Sequence, residues 1–121
     1  MNNFELTVII PVYNEEDNLE RVYQQMSSFM EIATKKTKVL FINDGSTDGS
    51  LNKIKAICNC SESFTYCSFG QNCGLSAAIK AGFDYSDTSW TGYIDADLQT
   101  SPSDFNVLME YANDYDLVTG V

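Results

Sequence analysis

Histidine is absent from this chain of 121 residues, and it has only two prolines and one tryptophan. Zinc sites usually pair Cys and His ligands at short, regular spacings. The four cysteines (Cys58, Cys60, Cys67 and Cys73) follow a C-x-C and then a C-x5-C spacing, which does not match that pattern. We therefore interpret them as reduced thiols of a cytosolic protein, without a zinc site.

Basic residues and long apolar runs are also few. Seven Lys and Arg stand against seventeen Asp and Glu, which gives a formal net charge of −10. Nucleic acids and anionic membrane surfaces require a basic footprint, so neither is expected as a direct partner. No apolar stretch approaches the about 18 residues of a membrane-spanning helix, and no signal peptide is recognisable. The sequence predicts a soluble, cytoplasmic protein that can bind a small anion only together with a divalent cation.

What the chain does contain is a regular alternation of short apolar runs and amphipathic stretches. Strands are predicted at 6–12, 38–44, 64–69 and 90–96, and a fifth begins at 115–121. Strands that alternate with helices indicate one α/β domain over 1–121, a Rossmann-like parallel sheet with helices on both faces. Since the chain stops inside a strand, we expect it to be the N-terminal part of a longer polypeptide.

The stretches between these strands carry apolar residues at helical spacing. Ser46 or Thr47 is predicted to cap the second helix, and Pro102 to open the fourth. Ala81 and Gly82 are predicted to allow close packing of the third helix on the sheet. The four predicted apolar stripes are Leu19, Val22, Met26, Phe29 and Met30; Leu51, Ile54, Ile57 and Cys58; Leu75, Ala78, Ile79, Gly82 and Phe83; and Phe105, Leu108 and Met109.

Acidic residues follow three of the first four predicted strands. Ligands of open parallel sheets bind at the carboxyl ends of the strands, so these side chains are expected to converge. They are Glu15, Asp44, Asp95 and Asp97. Converging carboxylates raise one another's pKa unless a cation compensates, and Asp95 and Asp97 are spaced so that both can face one metal-bound diphosphate. The alternative is that they are ordinary solvated turn residues.

Two other residues leave alternatives open. Tyr13 can pack on the first helix or stack on a base. Asp44 lies in "NDGS", a strong turn signal, so it can shape the turn or hold a ribose or base. Motifs of competing classes are missing, since neither G-x-G-x-x-G nor G-x-x-x-x-G-K-[ST] is present. Their absence argues against a dinucleotide-binding dehydrogenase and a P-loop enzyme.

Four segments in order, "TVIIPVYNEEDNL", "FINDGSTDGS", "NCGLSAAIKAGFDYS" and "GYIDADLQTSP", resemble the family-2 glycosyltransferases with the GT-A fold. The branch that they resemble most contains the dolichol- and polyprenyl-phosphate sugar synthases. The resemblance implies inverting transfer of a sugar from a UDP- or GDP-sugar to an acceptor, either a polyprenyl phosphate or a glycan. It also implies a DxD motif, a role in cell-envelope or glycan biosynthesis, and Mg²⁺ or Mn²⁺ as cofactor.

The same resemblance assigns roles to residues of this chain. Base and ribose would be surrounded by Pro11, Tyr13, Glu15, Ile42 and Asp44, and Asp95 and Ala96 would touch the nucleotide. Asp97, with Asp95 and Gln99, would hold the metal on the diphosphate. The catalytic base, the acceptor site and any membrane contact at the cytoplasmic face would lie beyond Val121.

The chain departs from the family pattern in three turns. Gln71 stands where the family often has Arg, Asn43 where it often has an acidic residue, and Thr100-Ser101-Pro102 where many relatives have Asp-Pro-Pro. Two alternatives to a glycosyltransferase are kept. A sugar-nucleotide nucleotidyltransferase would need a glycine-rich basic loop after the first strand, which "PVYNEED" does not offer. A non-catalytic module would retain the fold without the reaction.

Overall fold

The structure is a computed structural model, and it describes residues 3–33, 35–94 and 96. Strands and helices alternate as predicted. Their bounds are β1 Leu6–Val12, α1 Leu19–Ile32, β2 Thr37–Asp44, α2 Ser50–Cys60, β3 Phe64–Phe69, α3 Leu75–Tyr85 and β4 Trp90–Tyr93. β4 is shorter than the predicted 90–96, although the Ile94 amide still donates to the Ile9 carbonyl at 3.0 Å. The predicted fourth helix and the strand at 115–121 lie outside the described residues.

The four strands form one parallel sheet in the order β3-β2-β1-β4. From β1 the chain moves outward through β2 to β3, and it then returns to the opposite side of β1 to form β4. The strand order therefore reverses beside β1. All carboxyl ends meet at one edge of the sheet, called the carboxyl edge below, and the opposite edge is called the amino edge. A crevice is expected at the carboxyl edge where the order reverses.

Each face of the sheet has its own core, which explains why β1 is apolar without alternation. Val8, Ile10 and Val12 join the larger cluster, into which α1 and α2 pack. Ile9 belongs to the smaller cluster under α3. A Cβ at Gly82 of α3 would lie 2.6–2.8 Å from the Ile9 side chain, so only glycine fits at this contact. The predicted close packing at Gly82 is confirmed.

Two predictions about the helices are wrong. Leu75 was expected in the apolar face of α3, but its side chain is 56% exposed because α3 begins beyond the carboxyl edge. Neither Ser46 nor Thr47 caps α2, whose N-cap is Gly49. The Asp48 carboxylate instead accepts a hydrogen bond from the Ser50 amide at 2.9 Å, immediately outside the helix.

Two further features bear on the predictions. All four cysteine thiols are free. In the described part of the chain, no helix has both the length and the apolarity needed to cross a bilayer.

Candidate functional site

A cavity of about 550 Å³ opens at the carboxyl edge, beside β1 where the strand order reverses. Its volume lies in the range of small-molecule sites. Residues at or just beyond the carboxyl ends of the four strands line it: Pro11, Val12, Tyr13, Glu15, Asp44, Asn72, Gly74, Leu75 and Ala96. The convergence predicted for the strand ends is therefore observed for Glu15 and Asp44.

β1 and the loop after it together supply the largest share of the lining, namely Pro11, Val12, Tyr13 and Glu15. Pro11 lies past the last paired position of β1 with β4, so its missing N–H interrupts no bond of that ladder. Tyr13 is 46% exposed and belongs to neither core cluster. Glu15 is partly buried, and its carboxylate accepts a hydrogen bond from the Asn18 side-chain amide at 2.6 Å. The loop thus presents an aromatic ring and an acceptor to the cavity.

Asp44, at the end of β2, both lines the cavity and organises the loop opposite. Its side chain is only 4% exposed. Oδ1 accepts a hydrogen bond from the Cys73 amide at 2.6 Å, and Oδ2 accepts from the Gly74 amide at 3.0 Å. The Asn72 side-chain amide also donates to Oδ2, at 3.1 Å. The carboxylate therefore fixes the segment that leads into α3. Its negative charge lies at the N-terminal end of this helix, where the helix dipole stabilises it.

Gly45 permits this contact between the two loops. Its φ of +68° lies in the left-handed region, which a side chain would strain. A Cβ there would overlap the backbone of Gln71 and Asn72. The turn "NDGS" therefore has a structural reason for its glycine, and Asp44 has a structural role in addition to any contact with a ligand.

Asn14 ties the loop after β1 to the turn between β2 and α2. It has a φ of 52°, the sole positive φ of a non-glycine residue in the described ranges. Its Oδ1 accepts hydrogen bonds from the backbone amides of Thr47 at 2.8 Å and Asp48 at 3.3 Å. Nothing in the local sequence pattern indicated this contact, because the partners are more than thirty positions away.

The predicted site residues divide into three groups. Five line the cavity: Pro11, Tyr13, Glu15, Asp44 and Ala96. Ile42 does not, because its side chain is fully buried in the smaller core cluster. Asp95, Asp97 and Gln99 lie outside the described residues. The structure adds Val12, Asn72, Gly74 and Leu75 to the lining, and the loop "GQNCG" after β3 is the sequence signal that points to Asn72 and Gly74.

The charge of the lining restricts what can bind. Of the described residues that line the cavity, Glu15 and Asp44 are acidic and none is basic. Over the same described ranges, no group of three or more acidic or cysteine side chains is placed to hold a metal ion. An anionic ligand in this cavity would therefore meet uncompensated carboxylates unless a cation accompanied it.

Comparison with known proteins identifies glycosyltransferases as relatives over nearly the whole chain. The family model described as "Glycosyl transferase family 2" matches residues 7–121. An uncharacterized glycosyltransferase of Synechocystis sp. is 31% identical over 115 residues, covering 94% of this chain and 36% of the relative. The undecaprenyl-phosphate 4-deoxy-4-formamido-L-arabinose transferase of Yersinia enterocolitica is also 31% identical over 115 residues, covering 93% of this chain and 35% of the relative. The chain thus spans about a third of the length of these relatives.

Solved structures support the fold. The mannosyltransferase PcManGT from Pyrobaculum calidifontis, in complex with GDP-Man and Mn²⁺, superposes with a TM-score of 0.68 at 20% identity. The match covers 80% of this chain and 28% of that protein. The predicted GT-A fold is confirmed.

Proposed function

This chain belongs to glycosyl transferase family 2, and on that premise we propose that it forms the donor-binding part of an inverting glycosyltransferase. The donor is a sugar linked to a nucleoside diphosphate, UDP or GDP. The observation that carries the proposal is the cavity at the carboxyl edge. There residues at or just beyond the carboxyl ends of the four strands meet, and the loop after β1 contributes the exposed Tyr13 and the carboxylate of Glu15.

The described lining suits the nucleoside half of such a donor. The exposed Tyr13 ring offers a flat apolar surface for a base. The carboxylates of Glu15 and Asp44 are hydrogen-bond acceptors for base N–H groups or ribose hydroxyls. Because Asp44 already holds three donors of the β3–α3 loop, its remaining acceptor capacity is what a nucleoside would use.

A divalent cation is proposed for the diphosphate half. The lining of described residues is acidic, so the diphosphate requires a positive partner. Ala96 lines the cavity, and its chain neighbours Asp95 and Asp97 are each one peptide unit away. Carboxylate and amide oxygens suit Mg²⁺ or Mn²⁺, so Asp95, Asp97 and Gln99 are the proposed ligands. When bound, the cation would neutralise charge that develops on the departing nucleoside diphosphate.

The acceptor is proposed by analogy with the Yersinia enterocolitica relative, whose name specifies undecaprenyl phosphate. A lipid phosphate acceptor places the reaction at a membrane surface, and the cytoplasmic face is the side where nucleotide sugars are expected. A glycan acceptor is the alternative. The acceptor site and the catalytic base are proposed to lie outside the residues that line this cavity.

The test is a thermal-shift titration of the protein with Mn²⁺ and either UDP or GDP. A nucleotide that binds only the folded state raises the melting temperature. We expect a rise with Mn²⁺ and nucleotide together, and loss of that rise in Asp97→Ala. Glu62→Gln, an exposed acidic residue of the α2–β3 turn, is the matched control and should retain the full rise. An Asp97→Ala protein with an unchanged shift would refute the metal assignment.

A further inference from the structure

We propose that Asn14 is a positioning residue for donor binding. It holds its two neighbours, Tyr13 and Glu15, in place in the cavity wall. This inference rests on the proposed function of the cavity. Asn14 itself does not line the cavity, whereas both neighbours do. It can therefore act on a donor only through them.

The side chain of Asn14 works as an acceptor for a turn that is remote in sequence. Oδ1 accepts hydrogen bonds from the Thr47 amide at 2.8 Å, from the Asp48 amide at 3.3 Å and from the Thr47 hydroxyl at 3.4 Å. In the opposite direction, the Asn14 amide donates to the Ser46 hydroxyl at 3.0 Å. Side chain and backbone of one residue thus bridge the same two loops.

The next two residues repeat the connection. The Glu15 amide donates to the Ser50 hydroxyl at 2.9 Å, and the Glu16 amide donates to the Asp48 carboxylate at 3.4 Å. Lys53 of α2 adds one more contact to this loop, since its ammonium donates a hydrogen bond to the Glu16 carbonyl at 2.8 Å. Three consecutive amides of the loop after β1 are therefore bound by side chains of 46–50, which fixes its backbone relative to β2 and α2.

The residue type at position 14 meets two separate requirements. The left-handed φ of 52° suits glycine or asparagine and strains most other residues. The bridge requires a side-chain oxygen, which glycine lacks. Aspartate meets both requirements, because Oδ1 is the side-chain atom of Asn14 that the bridge uses and it only accepts. These two requirements can be separated by substitution.

The test uses the full-length protein with Asn14→Ala, Asn14→Gly and Asn14→Asp. Kd for UDP or GDP with Mn²⁺ is measured by calorimetry, and donor KM and kcat are measured in a transfer assay. We expect Asn14→Ala and Asn14→Gly to raise both Kd and KM by at least about tenfold, from two lost backbone hydrogen bonds and a displaced loop. Asn14→Asp should stay within about threefold of the natural protein because it keeps the acceptor.

Two outcomes would overturn the inference, and a third would overturn the proposed function on which it rests. If Asn14→Gly has the Kd and KM of the natural protein, only the left-handed backbone conformation matters at position 14, and the positioning role of the side chain is overturned. If all three variants lower the melting temperature and leave Kd and KM unchanged, Asn14 is structural only, which also overturns it. If the natural protein binds no nucleoside diphosphate, the proposed function fails. Amide hydrogen exchange then tests the bridge itself, with faster exchange at Thr47 and Asp48 expected in Asn14→Gly and protection retained in Asn14→Asp.

Discussion

The two edges of the sheet use polar residues in opposite ways. At the amino edge, hydroxyl groups bond to one another: Thr7 to Thr88 at 2.7 Å and Ser86 to Thr91 at 2.6 Å. Thr88 also donates to the Trp90 carbonyl at 2.7 Å. At the carboxyl edge, the polar groups connect separate loops and leave a cavity between them.

Charge follows the same division. At the amino edge, Lys38 forms an ion pair with Asp87 at 2.7 Å and lies over the Phe4 ring. At the carboxyl edge, Glu15 and Asp44 line the cavity with no basic residue among its described neighbours. The Lys38 charge is thus paired within the fold, whereas the described residues of the cavity lining carry only acidic charge. Polar contacts stabilise the fold at both edges, but at the carboxyl edge they also surround a cavity.

The largest effect is expected from breaking the loop contact at the carboxyl edge. Gly45→Ala would strain a left-handed residue and force the new methyl group into the backbone of Gln71 and Asn72. We expect a loss of at least about 2 kcal/mol in the free energy of unfolding, measured by urea denaturation. Nucleotide affinity should fall more than about tenfold because Asn72 moves from the cavity wall.

Gly70→Ala provides the matched control for this prediction. No atom lies within 4 Å of the Cβ that it would carry, and Gly70 belongs to the same loop as Gln71. It should leave both stability and nucleotide affinity nearly unchanged. Equal effects of the two substitutions would mean that general loop flexibility, and not the Gly45 contact, controls the site.

A smaller effect, confined to stability, is expected at the amino edge. Thr7 is fully buried, and Thr7→Val keeps its shape but removes the hydroxyl that meets Thr88. The free energy of unfolding should fall by about 1 kcal/mol, since Thr88 retains its bond to the Trp90 carbonyl. Nucleotide affinity measured by calorimetry should not change. A loss of affinity would contradict the separation of the two edges.

The smallest effect concerns the thiols. Burial raises the pKa of the Cys58 thiol from 9.0 to about 11, and Cys58 packs against the larger core. The folded state therefore holds this proton more tightly than the unfolded state, so its stabilising effect is complete below pH 9.0 and is lost as the pH rises towards 11. Urea denaturation across that window should show a shallower decline for Cys58→Ala. An identical decline in both proteins would contradict the burial of this thiol.

Labelling by a thiol reagent sharpens the same contrast without a substitution. Cys73 is exposed at the carboxyl edge, and Cys60 is exposed at the end of α2. Since the thiolate is the reactive form, both should react well before Cys58, as mass spectrometry of the labelled peptides would show. Labelling of Cys58 first would place it at the surface.

Much of the architecture follows from local sequence. β1 has the predicted bounds because its unbroken apolar or β-branched run is flanked by polar turns, and β3 has them because its aromatic, apolar and β-branched residues are interrupted by Ser68 alone. Glu15 and Asp44 meet at the cavity, as predicted, because parallel strands bring their carboxyl ends to one edge of the sheet. These inferences need only periodicity and topology.

Other features depend on contacts that local sequence does not encode. Leu75 has helical spacing with Ala78, but its position beyond the sheet leaves it exposed. Ile42 lies two residues before Asp44 on the same face of β2, but at its position within the strand it is fully buried in the smaller core cluster under α3. The bridge from Asn14 to Thr47 joins loops 33 positions apart. The exposure of Leu75, the burial of Ile42 and the conformation of the Asn14 loop are therefore determined by packing and by long-range hydrogen bonds.

The most direct test of the claim that the carboxyl edge is the donor site is hydrogen exchange by mass spectrometry. The protein would be compared with and without UDP or GDP in the presence of Mn²⁺. We predict slower exchange in peptides that cover 11–16, 43–49 and 70–76, and no change in the peptide that covers 86–91. Protection at 86–91, or no protection at the first three segments under saturating nucleotide, would contradict the account.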